Sequence, residues 1–274
     1  MSGPAATADA VFGGSIPEIY DRLLVPVFFE PYAEDLARRV AALRPRDVLE
    51  LAAGTGVAAR AMARSLPGGV RLVATDLNEP MLARAAAVGA ARAVEWRRAD
   101  ALALPFADGS FDAIACQFGV MFFPDVRRGL AEARRVLRPG GTLLFTVWDG
   151  LEENEFADAV TAELARVFPA DPPRFLARTP HGYHHREVIA RDLAAAGFGP
   201  PPAIETVTAR SRAPSHEVPA VGFCQGTPLR AEIEARAGAT LAEATRACAE
   251  AMGSRFGRGP VEGRMQALLV SVRA

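Results

Sequence analysis

Val48-Leu49-Glu50-Leu51-Ala52-Ala53-Gly54-Thr55-Gly56 is where the chain changes its period. Asp47 to Leu51 reads as a short apolar strand, Gly54 to Gly56 as a tight turn, and Val57 to Ser65 as a helix ended by Pro67-Gly68-Gly69. The same alternation continues downstream. Val70 to Thr75 is a second strand, and Asn78-Glu79-Pro80 opens a helix with proline in its first turn. Val94 to Arg98 is a third strand and Phe111 to Cys116 a fourth, after the turn Ala107-Asp108-Gly109-Ser110. Asp125 to Leu137 reads as a helix closed by Arg138-Pro139-Gly140-Gly141, and Thr142 to Trp148 as a fifth strand. Strands and helices alternating over residues 45–148 predict an α/β fold with a doubly wound, mostly parallel sheet.

The flanks are less regular. Residues 1–15 are small and polar and are expected to fray, while residues 16–43 carry apolar side chains at helical spacing, with Pro26 and Pro31 expected to break them into short pieces. Beyond residue 150 come a helix over about Glu153 to Phe168, a connection rich in proline, and a helix from Arg186 to Ala196. Ala203 to Arg210 and Met265 to Val272 are strand candidates, separated by a helical insertion of about fifty residues. No linker is long or polar enough to divide the chain. The expectation is one domain over 1–274, with residues 1–43, 151–182 and 213–260 forming a lid around an acceptor pocket.

Composition removes several classes of function. The net charge is -1, so no global field recruits nucleic acid or an acidic membrane surface. All 31 basic residues are arginines, and a chain without lysine cannot form a Schiff base through its side chains. The three cysteines, Cys116, Cys224 and Cys248, are scattered, which fits a reducing compartment and no zinc site. Met1 to Gly14 has no basic and apolar leader pattern, and no apolar run approaches the length of a membrane span. A cytoplasmic protein is expected.

Three carboxylates carry the chemistry. Glu50, Asp76 and Asp100 close or follow successive strands at spacings of 26 and 24 residues, which places all three along the C-terminal edge of the sheet, where ligands of such folds bind. An acid at each step suits a ligand with a cationic centre, a ribose and an adenine, as in S-adenosylmethionine. Glu50 would favour the ammonium and sulfonium, Asp76 would accept from the ribose hydroxyls, and Asp100 from the adenine amino group while the Ala101 N–H donates to the ring. Gly54 and Gly56 let the backbone approach the ligand, and Ala52, Leu77 and Met81 complete the cofactor set. Gly54-Thr55-Gly56-Val57-Ala58-Ala59 also fits a dinucleotide-binding pattern, so an NAD(P)-dependent oxidoreductase is the alternative, and a cofactor-binding protein without catalysis a third reading.

On these motifs the chain resembles the class I S-adenosylmethionine-dependent methyltransferases from about Asp47 to Asp149. Val48 to Gly56 looks like that family's first motif and Asp76 its ribose acid. Ala99 to Phe106 with Gly109-Ser110-Phe111-Asp112 resembles the adenine loop and fourth strand, and Leu137 to Leu143 the turn into the fifth. The resemblance implies a Rossmann-like seven-stranded sheet with an antiparallel last strand, which Met265 to Val272 could supply. It also implies methyl transfer. One departure stands out: the family's first loop glycine is Ala52 here, acceptable if its φ is negative.

Cys116-Gln117-Phe118-Gly119-Val120-Met121-Phe122-Phe123 is similar to the segment of quinone-biosynthesis C-methyltransferases and related small-molecule enzymes, and its apolar character suits a hydrophobic or aromatic acceptor. Gln117 is the site candidate in it, with Phe122 and Phe123 assigned to the core. Tyr20 is a candidate to close over the cofactor. His181 and His184, in His181-Gly182-Tyr183-His184-His185, are candidates for a general base, with one histidine of the run capping the following helix. A base is needed only if the acceptor loses a proton, because holding two reactants at near-attack distance can by itself supply up to about 7–11 kcal/mol. The acceptor atom and the oligomeric state are left open.

Overall fold

In the computed structural model, residues 8–274 are described; of the stretch expected to fray, residues 1–7 lie outside them, while Ala8–Ala10 form a short 3-10 turn. In chain order the helices and strands are α1 (Ile16–Ile19), α2 (Glu30–Ala42), β1 (Asp47–Glu50), α3 (Val57–Ser65), β2 (Arg71–Asp76), α4 (Glu79–Val88), β3 (Glu95–Arg98), β4 (Phe111–Gln117), α5 (Val126–Val136) and β5 (Leu137–Trp148). Then follow α6 (Glu155–Val167), α7 (Phe175–Arg178), α8 (Arg186–Ala195), β6 (Ala203–Ala213), α9 (Glu217–Gln225), α10 (Leu229–Glu234), α11 (Leu241–Phe256) and β7 (Val261–Arg273).

The seven strands form one sheet in the order β3-β2-β1-β4-β5-β7-β6. The pairs from β3 to β5 are parallel, and β7 runs antiparallel to β5, with Thr142 opposite Arg273 and Trp148 opposite Ala267. The strand order reverses at β1, the position where doubly wound sheets open a crevice for ligand. One face of the sheet is covered by α2 and α3, where Leu36, Val40, Ala58 and Met62 pack on Val48, Leu72, Ala113 and Leu144 with almost no exposure. Burial of this kind, at roughly 25 cal/mol per Å², dominates the stability of the half.

The chain divides into two compact units. One comprises Glu30–Trp148, Tyr183–Val207 and Ala267–Ala274, and therefore holds the parallel strands and the three acids. The other comprises the segment up to Phe29, Asp149–Gly182 and Thr208–Gln266. Its interior is aromatic: Phe28 lies 4.8 Å from Phe223 and 6.2 Å from Phe156, and Phe156 meets Phe256 at 4.9 Å. Gly222 of α9 admits Leu24, whose side chain would lie 2.6 Å from a Cβ there.

Two local expectations are corrected. Pro26 and Pro31 do not break the N-terminal helix, because Tyr20–Phe29 between α1 and α2 winds as a π-helix. Wider turns move the carbonyl that a proline ring would strike, and Pro31 sits in the first turn of α2. The second correction concerns Arg138-Pro139-Gly140-Gly141, which does not precede the fifth strand but is a bulge within it. Leu137 already pairs with Phe111 and Thr142 with Ala113, so the register shifts between them, with Gly140 at φ +80°.

Candidate cofactor site

Glu50 ends β1 and Asp76 ends β2, one strand apart at the C-terminal edge. Both are buried, Glu50 to 1% and Asp76 to 7% exposure. Burial, and secondarily the charge of Asp76, pushes the Glu50 carboxyl well above its ordinary range, against the pull of Arg60. One of its oxygens, Oε2, is buried with no hydrogen-bond partner. An anion placed so, with one lone-pair face unanswered, costs free energy until a cation or donor arrives.

Asp76 is also raised by burial, although backbone N–H groups partly offset it. Its Oδ2 accepts the Gly54 N–H at 2.8 Å and its Oδ1 the Asn78 N–H at 2.7 Å. Asp76 therefore organises the glycine loop as well as facing the sheet edge, a task its sequence position alone did not reveal. Oδ1 also accepts from the Asn78 side-chain Nδ2 at 3.3 Å, so three donors hold the carboxylate in place.

Around the loop, Gly54 has φ +56° and Gly56 φ +86°. At Gly56 the packing is decisive as well, because a Cβ would lie 2.7 Å from the Trp96 ring. At Gly54 the nearest atom is the Met81 methyl at 3.6 Å, so conformation alone selects glycine there. Ala52 departs from the sequence expectation: its φ is +52°, the left-handed region that costs an L residue about 1–2 kcal/mol. Its Cβ lies 2.5 Å from where a Cβ on Gly119 would be, which ties the first loop to the one after β4.

Asp100 follows β3 and is half-buried. Its Oδ1 accepts the Leu102 N–H at 2.8 Å and its carbonyl the Ala103 N–H at 3.0 Å, closing a turn that presents Ala101 and the carboxylate at the edge. Leu77 is half-buried and Met81 buried, both entering α4 beside Asp76. The fourth strand ends at Gln117, 8% exposed, and Phe118 follows with φ +52°. The Phe118 ring stacks on Trp148 at 3.9 Å and 7°, and Tyr32 meets both rings edge-on.

A family model described as a methyltransferase domain matches residues 49–145. Demethylmenaquinone methyltransferase of Thermus thermophilus is 36% identical over 177 residues, 61% of this chain and 79% of that protein. The chain belongs to the class I S-adenosylmethionine-dependent methyltransferases. It is related to the quinone-biosynthesis branch: the ubiquinone/menaquinone biosynthesis C-methyltransferase of Paracoccus denitrificans is 44% identical over 109 residues, 37% of this chain and 43% of that one. The fold is shared with an N-methyltransferase of Haemonchus contortus solved with phosphomonomethylethanolamine and S-adenosylhomocysteine, at TM-score 0.56 and 16% identity, over 94% of this chain and 56% of that one.

S-adenosylmethionine is thus the cofactor of this methyltransferase, and the residues present fit it, since the unanswered Glu50 oxygen calls for a cationic or donor group.

Of the remaining candidates, Tyr20 and His181 lie in the other unit and His184 in the unit that holds the acids. Tyr20 stands in the π-helical segment, stacked on Phe29 at 5.0 Å with Phe12 edge-on at 6.0 Å. His181 is buried and its Nδ1 contacts the Asp149 carbonyl at 2.8 Å. A carbonyl only accepts, so Nδ1 carries the proton in this contact. His184 lies ring to ring with His185 at 4.2 Å. His185 occupies the N-cap position of α8, but makes no side-chain capping bond. Phe122 and Phe123 are half-buried rather than core, Phe123 resting on Gly129 of α5. Among the described residues no group of three or more His, Cys, Asp or Glu side chains is arranged to hold a metal ion, and no helix is long and apolar enough to cross a membrane.

Residues the sequence reading missed include Thr55, whose buried hydroxyl has no partner, and Cys116, whose thiol is pushed up to about 12 by burial and by Glu50. Thr55 could have been found from its place between the two loop glycines.

Proposed function

We propose that this methyltransferase methylates a carbon of a small, electron-rich aromatic acceptor of the quinol type. Two features support the acceptor class: the quinone-directed activities of the relatives named above, and the apolar run that follows β4. The observation that carries the cofactor half of the reading is the buried Glu50 carboxylate with Oε2 unanswered beside Asp76. In this reading Glu50 receives the amino-acid end of the cofactor, Asp76 the ribose hydroxyls, and Asp100 with the Ala101 N–H the adenine. Ala52, Gly54 and Gly56 shape the backbone cradle, Leu77, Met81 and Gln117 wall it, and Tyr20 is the candidate to close over the ligand.

When bound, S-adenosylmethionine supplies a methyl group activated by the sulfonium charge, which an acceptor carbon takes in line. The protein's contribution is then to orient and to exclude water, since apolar walls strengthen the local field and keep the reacting atoms together. A ring carbon that gains the methyl must lose its proton, and His181 is our candidate receiver, with His184 the second.

The test is a C-methylation assay with demethylated naphthoquinols and benzoquinols, read by mass spectrometry of the product ring, beside calorimetric titration of S-adenosylhomocysteine. Product carrying the new methyl on carbon, together with tight thioether binding, is expected. Methylation of oxygen or nitrogen acceptors only would overturn the acceptor assignment, and absence of S-adenosylhomocysteine binding would overturn the site.

A further inference from the structure

Arg135 and Glu132 of α5 lie outside the cofactor cradle, yet they hold the loop that follows Asp100. Glu132 Oε2 accepts the Leu104 N–H at 2.8 Å, and Arg135 donates to the Leu104 carbonyl at 3.0 Å and the Phe106 carbonyl at 2.8 Å. Arg135 is itself fixed by Glu132 at 2.7 Å and by Asp108 at 2.7 Å. One turn earlier, Arg128 donates to the Leu102 carbonyl at 2.9 Å. Three side chains on one helical face thus bind four backbone groups within five residues of the loop.

Packing shares this work, since the Leu102 and Leu104 side chains are buried. An open groove of about 490 Å³ nevertheless runs along the seam beside them, lined also by Ala103, Ala131 and the same three charged side chains. The Arg135 hydrogen bond, the foremost cause, holds the Glu132 carboxyl below its ordinary value, so it stays an acceptor across the working pH range. Leu102, whose carbonyl Arg128 holds, is also the residue whose N–H binds Asp100 Oδ1. Displacing this loop therefore displaces the carboxylate assigned to the base.

We propose that Arg135 and Glu132 are positioning residues for base recognition: they set the Asp100 carboxylate and the Ala101 N–H at the height of the adenine edge. The inference rests on the adenine reading of Asp100 given above. It makes the discrimination between an amino and an oxo substituent on the purine depend on a helix that never touches the ligand.

The experiment compares S-adenosylhomocysteine with its deaminated inosyl analogue by calorimetry. The ratio of the two affinities is measured in wild type, Asp100→Asn, Arg135→Ala, Arg135→Lys and Glu132→Gln. In Arg135→Ala the ratio is expected to fall by about tenfold or more, as for a catalytic group misplaced by a fraction of an ångström. Arg135→Lys and Glu132→Gln, which keep most of the volume, should give smaller falls. A role in stability alone would lower the melting temperature and leave the ratio as in wild type, and that result overturns the proposal. Should Arg135→Ala fail to fold, the two conservative variants decide the same question by the same ratio. A wild type with no preference between the analogues, or an unchanged ratio in Asp100→Asn, defeats the adenine reading itself.

Discussion

The two rims of the parallel sheet are built on opposite principles. At the N-terminal rim, Asp112 accepts the Arg46 and Asp47 N–H groups at 2.8 and 2.9 Å and Arg138 at 2.6 Å, and Arg138 also pairs with Asp47 at 2.9 Å. Burial alone would raise the Asp112 carboxyl, but Arg138 and the two N–H groups outweigh it and hold it below the ordinary value. At the C-terminal rim, Glu50 and Asp76 are more deeply buried, raised rather than lowered, and Glu50 keeps an unanswered oxygen. One rim is closed by its own residues. The other keeps an unanswered oxygen, and the difference separates acids that hold the fold from the acids we propose to hold the cofactor.

The largest effect should come from Asp76→Ala, which removes the proposed ribose acceptor and releases both Gly54 and Asn78. Cofactor affinity is expected to fall by well over tenfold, more than about 1.4 kcal/mol, by calorimetry. Glu50→Gln should sharpen the contrast because its two readouts move in opposite directions. Affinity falls by about tenfold, whereas the melting temperature of the ligand-free protein rises relative to wild type once the pH exceeds the raised Glu50 value, because the amide carries no charge to bury. Asp112→Ala should do the reverse, lowering stability by about 1–3 kcal/mol in denaturant titrations through three lost bonds, with cofactor affinity unchanged.

Acidity gives a subtler test. Because Glu50 and Asp76 have raised values in the folded state, the stability they confer is complete at low pH and is lost as pH rises through those values. Asp112 runs the other way, with its contribution present above the ordinary aspartate value and lost as pH falls through the lowered one. A cationic ligand restores charge to Glu50, so binding should release protons. Titration in buffers of different ionisation enthalpy should detect this in wild type and not in Glu50→Gln. The smallest effect is expected at Ala52. Ala52→Gly should relieve the positive φ and raise stability by about 1 kcal/mol in thermal melts.

Much of the cofactor half was legible because its signals are local. Strand periodicity, the Gly54-Thr55-Gly56 turn and an acid at each strand end are fixed within a few neighbouring residues, and β1 to β4 and the Thr142–Trp148 part of β5 stand where the alternation placed them. What escaped depends on partners distant in sequence. The Arg138–Gly141 segment reads as a turn but becomes a bulge because Leu137 and Phe111 pair across it. Ala52 reads as a tolerable replacement, yet the loop forces it to positive φ where no Cβ is at ease. The pairing of Glu132 and Arg135 looks like an ordinary i, i+3 pair on a helix surface. Only the fold brings the Leu104 and Phe106 backbone beneath them. The π-helical turn around Pro26 escaped for the same reason, since proline rules assume the narrower α-helix.

The placement of the aromatic rings gives this enzyme its own optical probes. It has two tryptophans: Trp96 abuts Gly56 in the first loop, and Trp148 stacks on Phe118 just past the fourth strand. Each indole therefore sits beside a different wall of the proposed cradle. Emission from a single-tryptophan variant of either kind would follow ligand entry at one wall, without dye or label.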